Sequence, residues 1–192
     1  MGSSARSPRE RMVYSAAQLV RARGATGTGV RDVVEHADAP RGSFQHYFPG
    51  GKDQLVGEAV LWAAGYAAER VAEYRRQVRT PTPAGLFAHM AKQWKDEFTR
   101  RGYERGCPLM AAAADLVGSG SPVATQLATA MARWEAAVAT ELVAMAVPAR
   151  RARRLATLMV STLEGAIMSA RLRRDVGPLN TVVAELAPVL HA

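Results

Sequence analysis

Arg41, Ser43, Gln45 and His46 stand close together in one short stretch, bounded by the breaks Asp38-Ala39-Pro40 and Pro49-Gly50-Gly51. Their side chains are of the kinds that read nucleic-acid bases. Arginine presents two parallel donors that match O6 and N7 of guanine, and glutamine a donor and an acceptor that match N6 and N7 of adenine. Arg41 and Gln45 are four residues apart, which on an α-helix puts them on one face, addressing neighbouring base pairs. A helix that enters the major groove, ~12 Å wide, must be short and polar outside, and Gly42 is small where the groove wall would come close. Phe44, Tyr47 and Phe48 supply the apolar anchors behind that face, with the Tyr47 hydroxyl able to turn outward.

Other chemistry is hard to find. Gly50-Gly51-Lys52-Asp53 has part of a phosphate-binding loop, but the first glycine of that pattern falls on His46 and its Ser/Thr is replaced by Asp53. His36, His46, His89 and His191 lack metal-ligand spacing with one another or with carboxylates, and Cys107 has no evident partner base. No catalytic residue, cofactor or metal is expected, and Cys107 reads as a small buried hydrophobe.

A chain of 192 residues that is 48% hydrophobic buries a substantial core, as one compact domain or a small head on a larger body. Its net charge of +8 favours polyanionic partners such as DNA, RNA or an acidic membrane surface. That charge is spread along the chain, so it does not locate a site. All of the 25 basic residues except Lys52, Lys92 and Lys95 are arginine, more than a binding surface uses, and genome composition accounts for the excess. A single cysteine forms no internal disulfide, in keeping with a reducing cytoplasm. Neither a signal-peptide pattern nor a run near the ~20 apolar residues of a membrane span is present, so a soluble, cytoplasmic protein is expected.

Several helices must position the polar stretch. Met12, Val13, Ala16, Ala17, Leu19 and Val20 recur at helical spacing, and Gly24 after Arg21 and Arg23 stops the first helix. Thr28 or Gly29 caps a second, Val30 to Ala37, with Val30, Val33, Val34 and Ala37 on one face. Asp38 tolerates left-handed backbone and Pro40 disfavours helix before it, so the chain turns there. The third helix runs from about Arg41 to Tyr47. From about Lys52 one long helix carries Leu55, Ala59, Trp62, Tyr66 and Arg70 on a stripe and continues past Tyr74 to Val78, on the order of 40 Å. Phe87, Met90, Trp94 and Phe98 mark a later helix, Leu109 to Val117 a short one, and Leu127, Met131, Trp134, Val138, Leu142 and Met145 another. The last two, about Ala149 to Arg174 and Leu179 to the end, are apolar on more than one face, which implies a second buried contact. No stretch alternates like a strand. The reading is all-α, with a three-helix helix-turn-helix head over 1–51 joined by a long helix to a helical body over 52–192.

The stretch TGVRDVVEHADAPRGSFQHYFPGGKDQL, with its surroundings over residues 9–62, resembles the signature of the TetR family. That signature is a T-x-V-x-x-I-A core, a Gly-led turn, a K/R-G-x-L/F-Y-x-Y/H-F recognition helix and a K-x-x-L start to the fourth helix. The resemblance implies a sequence-specific transcriptional regulator, a homodimeric repressor released from a palindromic operator by a small apolar or aromatic ligand. It places Thr28 and Lys52 against phosphate, and Arg41, Gly42, Ser43, Gln45, His46 and Tyr47 on the DNA-facing helix. The chain departs from the pattern where Gly29 replaces a hydroxyl, Asp38 the turn glycine and Gln45 a tyrosine, and where the FPGGKDQL junction is one residue longer than the common form. The longer junction, with Gly106-Cys107-Pro108-Leu109, resembles the LmrA/YxaF-like branch.

The family's ligand site lies among the middle helices, where Trp62, Tyr66, Phe87, Met90, Trp94, Met110, Trp134 and Met159 are the candidates; each taken alone reads as core. Its dimer contact uses the last two helices, here Leu155, Met159, Leu163 and Ile167 with Leu179, Val182, Leu186 and Leu190. Two other readings stay open on the residues themselves. One is a helical-bundle ligand-binding protein or enzyme without sequence-specific DNA binding, and the other a charge-driven nucleoid-like binder with no preference for a palindrome.

Overall fold

A computed structural model of the chain describes residues 7–191, with the side chains of Arg41 and His191 outside that description; the described residues form helices and turns and no strand. They divide into two compact units, one of residues up to Gly65 together with Cys107–Met131, the other of Tyr66–Gly106 together with residues from Ala132 on. Two helices, α4 (Gly51–Gln77) and α7 (Val123–Ala144), contribute to both.

In the first unit α1 (Pro8–Arg23) starts where the Ser7 hydroxyl accepts the Glu10 amide and the Glu10 carboxylate accepts the Ser7 amide at 2.7 Å. This reciprocal cap satisfies two amides that a helix start otherwise leaves unmet. Gly24, at φ 75°, ends the helix. Helix α2 (Val30–His36) is followed by Asp38 in the left-handed region, at φ 48°. Arg11 makes that turn workable, because its guanidinium donates to the Ala37 and Asp38 carbonyls, each at 2.8 Å. A 3-10 turn, Arg41–Ser43, then leads into the four-residue α3 (Phe44–Tyr47).

Met12, Val13, Ala16, Ala17, Val33, Val34, Ala37, Phe48, Leu55 and Ala59 form one buried cluster, with Leu19, Val30, Phe44, Tyr47 and Trp62 packed at its edge. Phe48 anchors the segment Gly42–Tyr47 to this cluster. It stacks on Phe44 with ring centroids 5.4 Å apart, and Arg9 lies over its ring while pairing with Glu58 at 2.6 Å. The short helix α6 (Pro108–Leu116) packs on α1, so this unit takes in chain well beyond the first 51 residues.

In the second unit α5 (Pro83–Arg101), α8 (Ala149–Arg173) and α9 (Gly177–His191) pack on one another. Thr82 caps α5 by accepting the Gly85 amide at 3.0 Å, with Pro83 in the first turn, where a missing N–H costs nothing. Phe87, Met90, Phe98, Trp134, Val138, Leu142, Met159, Leu163, Ile167 and Leu179 are buried. Glu141 is buried too, and its carboxylate is paired by the Arg75 guanidinium at 2.6 Å. Helix α8 is long and apolar enough to meet a minimal membrane-span test, with mean hydropathy 1.2, which the sequence reading did not anticipate. Half of that window is buried inside the protein, as in a core helix.

Candidate nucleic-acid interface

The segment Gly42–Tyr47 exposes what the fold does not use. Gly42, Gln45 and His46 are exposed, and a Cβ added at Gly42 would meet nothing within 4 Å. Packing within the protein therefore does not require glycine there. Gln45 donates only a long hydrogen bond, 3.4 Å, to the Pro49 carbonyl, and the His46 ring rests edge-on against Tyr47 with centroids 5.1 Å apart. Ser43 donates to the Pro40 carbonyl at 2.7 Å, which pins the turn and leaves its oxygen able to accept. Tyr47 is half-buried at the edge of the core. The Arg41 side chain lies outside the described residues, but its backbone position is informative. Because Arg41–Ser43 is 3-10 and only Phe44–Tyr47 is α, positions 41 and 45 sit about 80° apart around the axis instead of the ~40° of a continuous α-helix.

Two residues expected at phosphate have other engagements. Thr28 is only 2% exposed and its hydroxyl donates to the Gly24 carbonyl at 2.7 Å, so the side chain closes the loop from inside instead of facing out. Lys52, the second residue of α4, donates from Nζ to the Thr26 carbonyl at 3.1 Å, across the loop between α1 and α2. The same Thr26 donates its amide to the Asp115 carboxylate at 2.9 Å. Sequence reasoning passed over Asp115 and Arg11, because nothing in their local spacing announces a partner so far along the chain.

The ligand candidates fall in both units. Phe87, Met90, Trp134 and Met159 are buried in the second unit, where Trp94 is partly buried and Tyr66 is 54% exposed. Trp62 and Met110 belong to the first unit, with Trp62 packed edge-on to Tyr14 at 5.4 Å. The Trp134 indole N–H is buried and has no hydrogen-bond partner. His89, half-buried against Tyr74 and beside Gln93 at 2.8 Å, has its pKa lowered by burial first, then by Arg70 and Lys92, with Glu73 opposing. Of the residues expected at the dimer contact, Leu155, Met159, Leu163, Ile167, Leu179, Leu186 and Leu190 are buried within the protomer and Val182 is half-buried. The apolar side chains that α8 and α9 leave outside are Leu158, Met168, Leu172 and Val189. Among the described residues no cluster of His, Cys, Asp or Glu is arranged to hold a metal.

Residues 14–59 match the family described as bacterial regulatory proteins, tetR family, and residues 83–185 match that of the LmrA/YxaF-like transcriptional regulator C-terminal domain. The HTH-type transcriptional regulator Rv0196 of Mycobacterium tuberculosis is 38% identical over 190 residues, covering 96% of this chain and 95% of the relative. YxaF of Bacillus subtilis is 30% identical over 183 residues, covering 95% and 94%. Among solved structures, a TetR regulatory protein from Rhodobacter sphaeroides superposes with a TM-score of 0.79 at 19% identity, covering 94% of this chain and 97% of that one. At that identity the superposition speaks for the fold, while the two family matches and the two relatives extend over head and body alike. An exposed polar segment at the end of a helix-turn-helix, on an all-helical chain with those relatives, has one consistent reading: the protein belongs to the TetR family of DNA-binding transcriptional regulators, with an LmrA/YxaF-like C-terminal domain.

Proposed function

We propose that this regulator is a dimeric repressor that reads a near-palindromic operator through the Arg41–Tyr47 segment and is released by a small apolar or aromatic molecule bound in its second unit. The carrying observation is that Gly42, Gln45 and His46 are outward and almost unused by the fold. Arg41 and Gln45 supply base contacts, Ser43 and His46 single polar contacts, and Tyr47 a phosphate contact; the Lys52 ammonium, with two donors left beyond the one given to Thr26, supplies another, and these set affinity and its salt dependence. One reading segment per chain is little surface, which favours two copies on half-sites about one helical turn, ~34 Å, apart.

The effector reading rests on Trp134. A buried N–H without a partner costs roughly 1–3 kcal/mol, and a ligand with an acceptor beside its apolar body would satisfy it. Phe87, Met90 and Met159 give the same unit an apolar interior to receive such a molecule. The protein acts in the cytoplasm, where its DNA is, and has no catalytic activity of its own. Selection of duplexes from a random pool by the purified protein tests the proposal. An inverted repeat is expected; enrichment of no sequence would leave a charge-driven binder, and no DNA binding at all would leave a ligand-binding bundle.

A further inference from the structure

We infer that Asp115, on α6, is a positioning residue for operator recognition: its carboxylate holds the loop between α1 and α2 on which the recognition segment depends. The bond runs from the Thr26 amide to Asp115 Oδ2, 2.9 Å, between residues 89 apart in sequence. Lys52 takes the carbonyl of the same residue at 3.1 Å, so Thr26 is gripped on both sides of its backbone. Thr26 is exposed and has no place in the apolar cluster, so these polar bonds fix its position. Gly24 fits the same arrangement. Its φ of +75° is one that other residues rarely adopt, and a Cβ there would run into the Asp115 carboxylate.

The loop matters because it delivers α2. That helix begins at Gly29 with no side-chain cap, so its start is set by the preceding chain, residues 24–28. Val33 and Val34 of α2 belong to the cluster against which Phe44 and Tyr47 pack. A loop released from Asp115 lets α2 shift, and the recognition segment loses its fixed footing. Asp115 itself touches no DNA; it acts through Thr26.

The inference rests on DNA recognition by the Arg41–Tyr47 segment, and the test separates the two. The probe is the duplex that the native full-length protein selects from a random pool; if it selects none, the functional reading fails first. Given that duplex, Asp115→Ala is expected to weaken binding roughly three- to tenfold, the worth of one partly solvated hydrogen bond. The slope of log K against log salt should stay unchanged, since no phosphate contact is lost. Asp115→Asn keeps an acceptor oxygen and should regain most of the affinity, a rescue that a role in general charge balance would not give. In the native protein the Thr26 amide should exchange with solvent more slowly than in an unstructured peptide. Native affinity in Asp115→Ala, an Asn variant bound roughly three- to tenfold more weakly than the native protein, or an unprotected Thr26 amide overturns the assignment, and the last two hold even if Asp115→Ala fails to fold.

Discussion

The Gln45 amide is held only by a 3.4 Å bond to the Pro49 carbonyl, so a base edge meets little competition for it. Gln45→Ala should relax preference at one A·T position per half-site and cost about 1–3 kcal/mol, with other positions in the selected sequence unchanged. A sequence logo identical to that of the native protein would remove Gln45 from the readers and leave it as a phosphate contact. Thr28 makes the opposite case. With its hydroxyl spent on the Gly24 carbonyl, Thr28→Val should lower stability by about 1 kcal/mol through an orphaned carbonyl, while Thr28→Ser keeps the bond and loses less. Thermal unfolding of the two variants checks this. Residue types alone conveyed that Asp38 tolerates a left-handed turn and that Phe48 is an anchor, because both derive from local chemistry. The inward turn of Thr28 depends on how residues 24–28 close on themselves, and neither that closure nor the distant carboxylate of Asp115 leaves a local pattern.

The end of α1 was legible because Gly24 stands at it, acting through backbone geometry that needs no tertiary context. The third helix was legible in extent but not in kind. Its first turn is 3-10, which sets backbone positions 41 and 45 farther apart around the axis than a continuous α-helix would. Long helices were read less well by face: Tyr66, placed on the stripe of α4, is exposed, while Val56, Val60, Ala63 and Ala64 are buried. On α5, His89 gives an element-scale prediction. Burial and the charges of Arg70 and Lys92 lower its pKa in the fold, against Glu73, so the unfolded chain binds its proton more readily. Stability from this group is therefore fully present above the unfolded value of about 6.5 and is lost as pH falls below it. His89→Gln, which can keep a polar contact to Gln93, should flatten the fall in melting temperature between about pH 7 and 5. An unchanged slope would mean that other groups govern it.

At the scale of the whole molecule, α8 has two apolar faces with different tasks. Leu155, Met159, Leu163 and Ile167 are all within 6% exposure and hold the protomer together. Leu158, Ser161, Gly165, Met168 and Leu172 are all exposed and recur with alternating steps of three and four, the spacing of a helix seam that meets another helix. Ser161 and Gly165 are small at the centre of that seam, and nothing lies within 4 Å of where a Gly165 Cβ would stand, so a partner backbone can approach closely. If fully covered, Leu172 at 80% exposure would gain roughly 1.5–2.5 kcal/mol and Met168 at 46% about half as much, and a twofold axis counts every contact twice. Met168→Glu with Leu172→Glu should therefore give a folded monomer by sedimentation, with native-like helicity and with operator affinity lost because one half-site cannot hold it. Leu163→Glu should act differently, unfolding the second unit instead of parting two intact chains, since it puts a charge into a site that is 1% exposed. A Met168/Leu172 double variant that stays dimeric would move the contact off this seam, whereas a folded, monomeric Leu163→Glu would return it to the inner face.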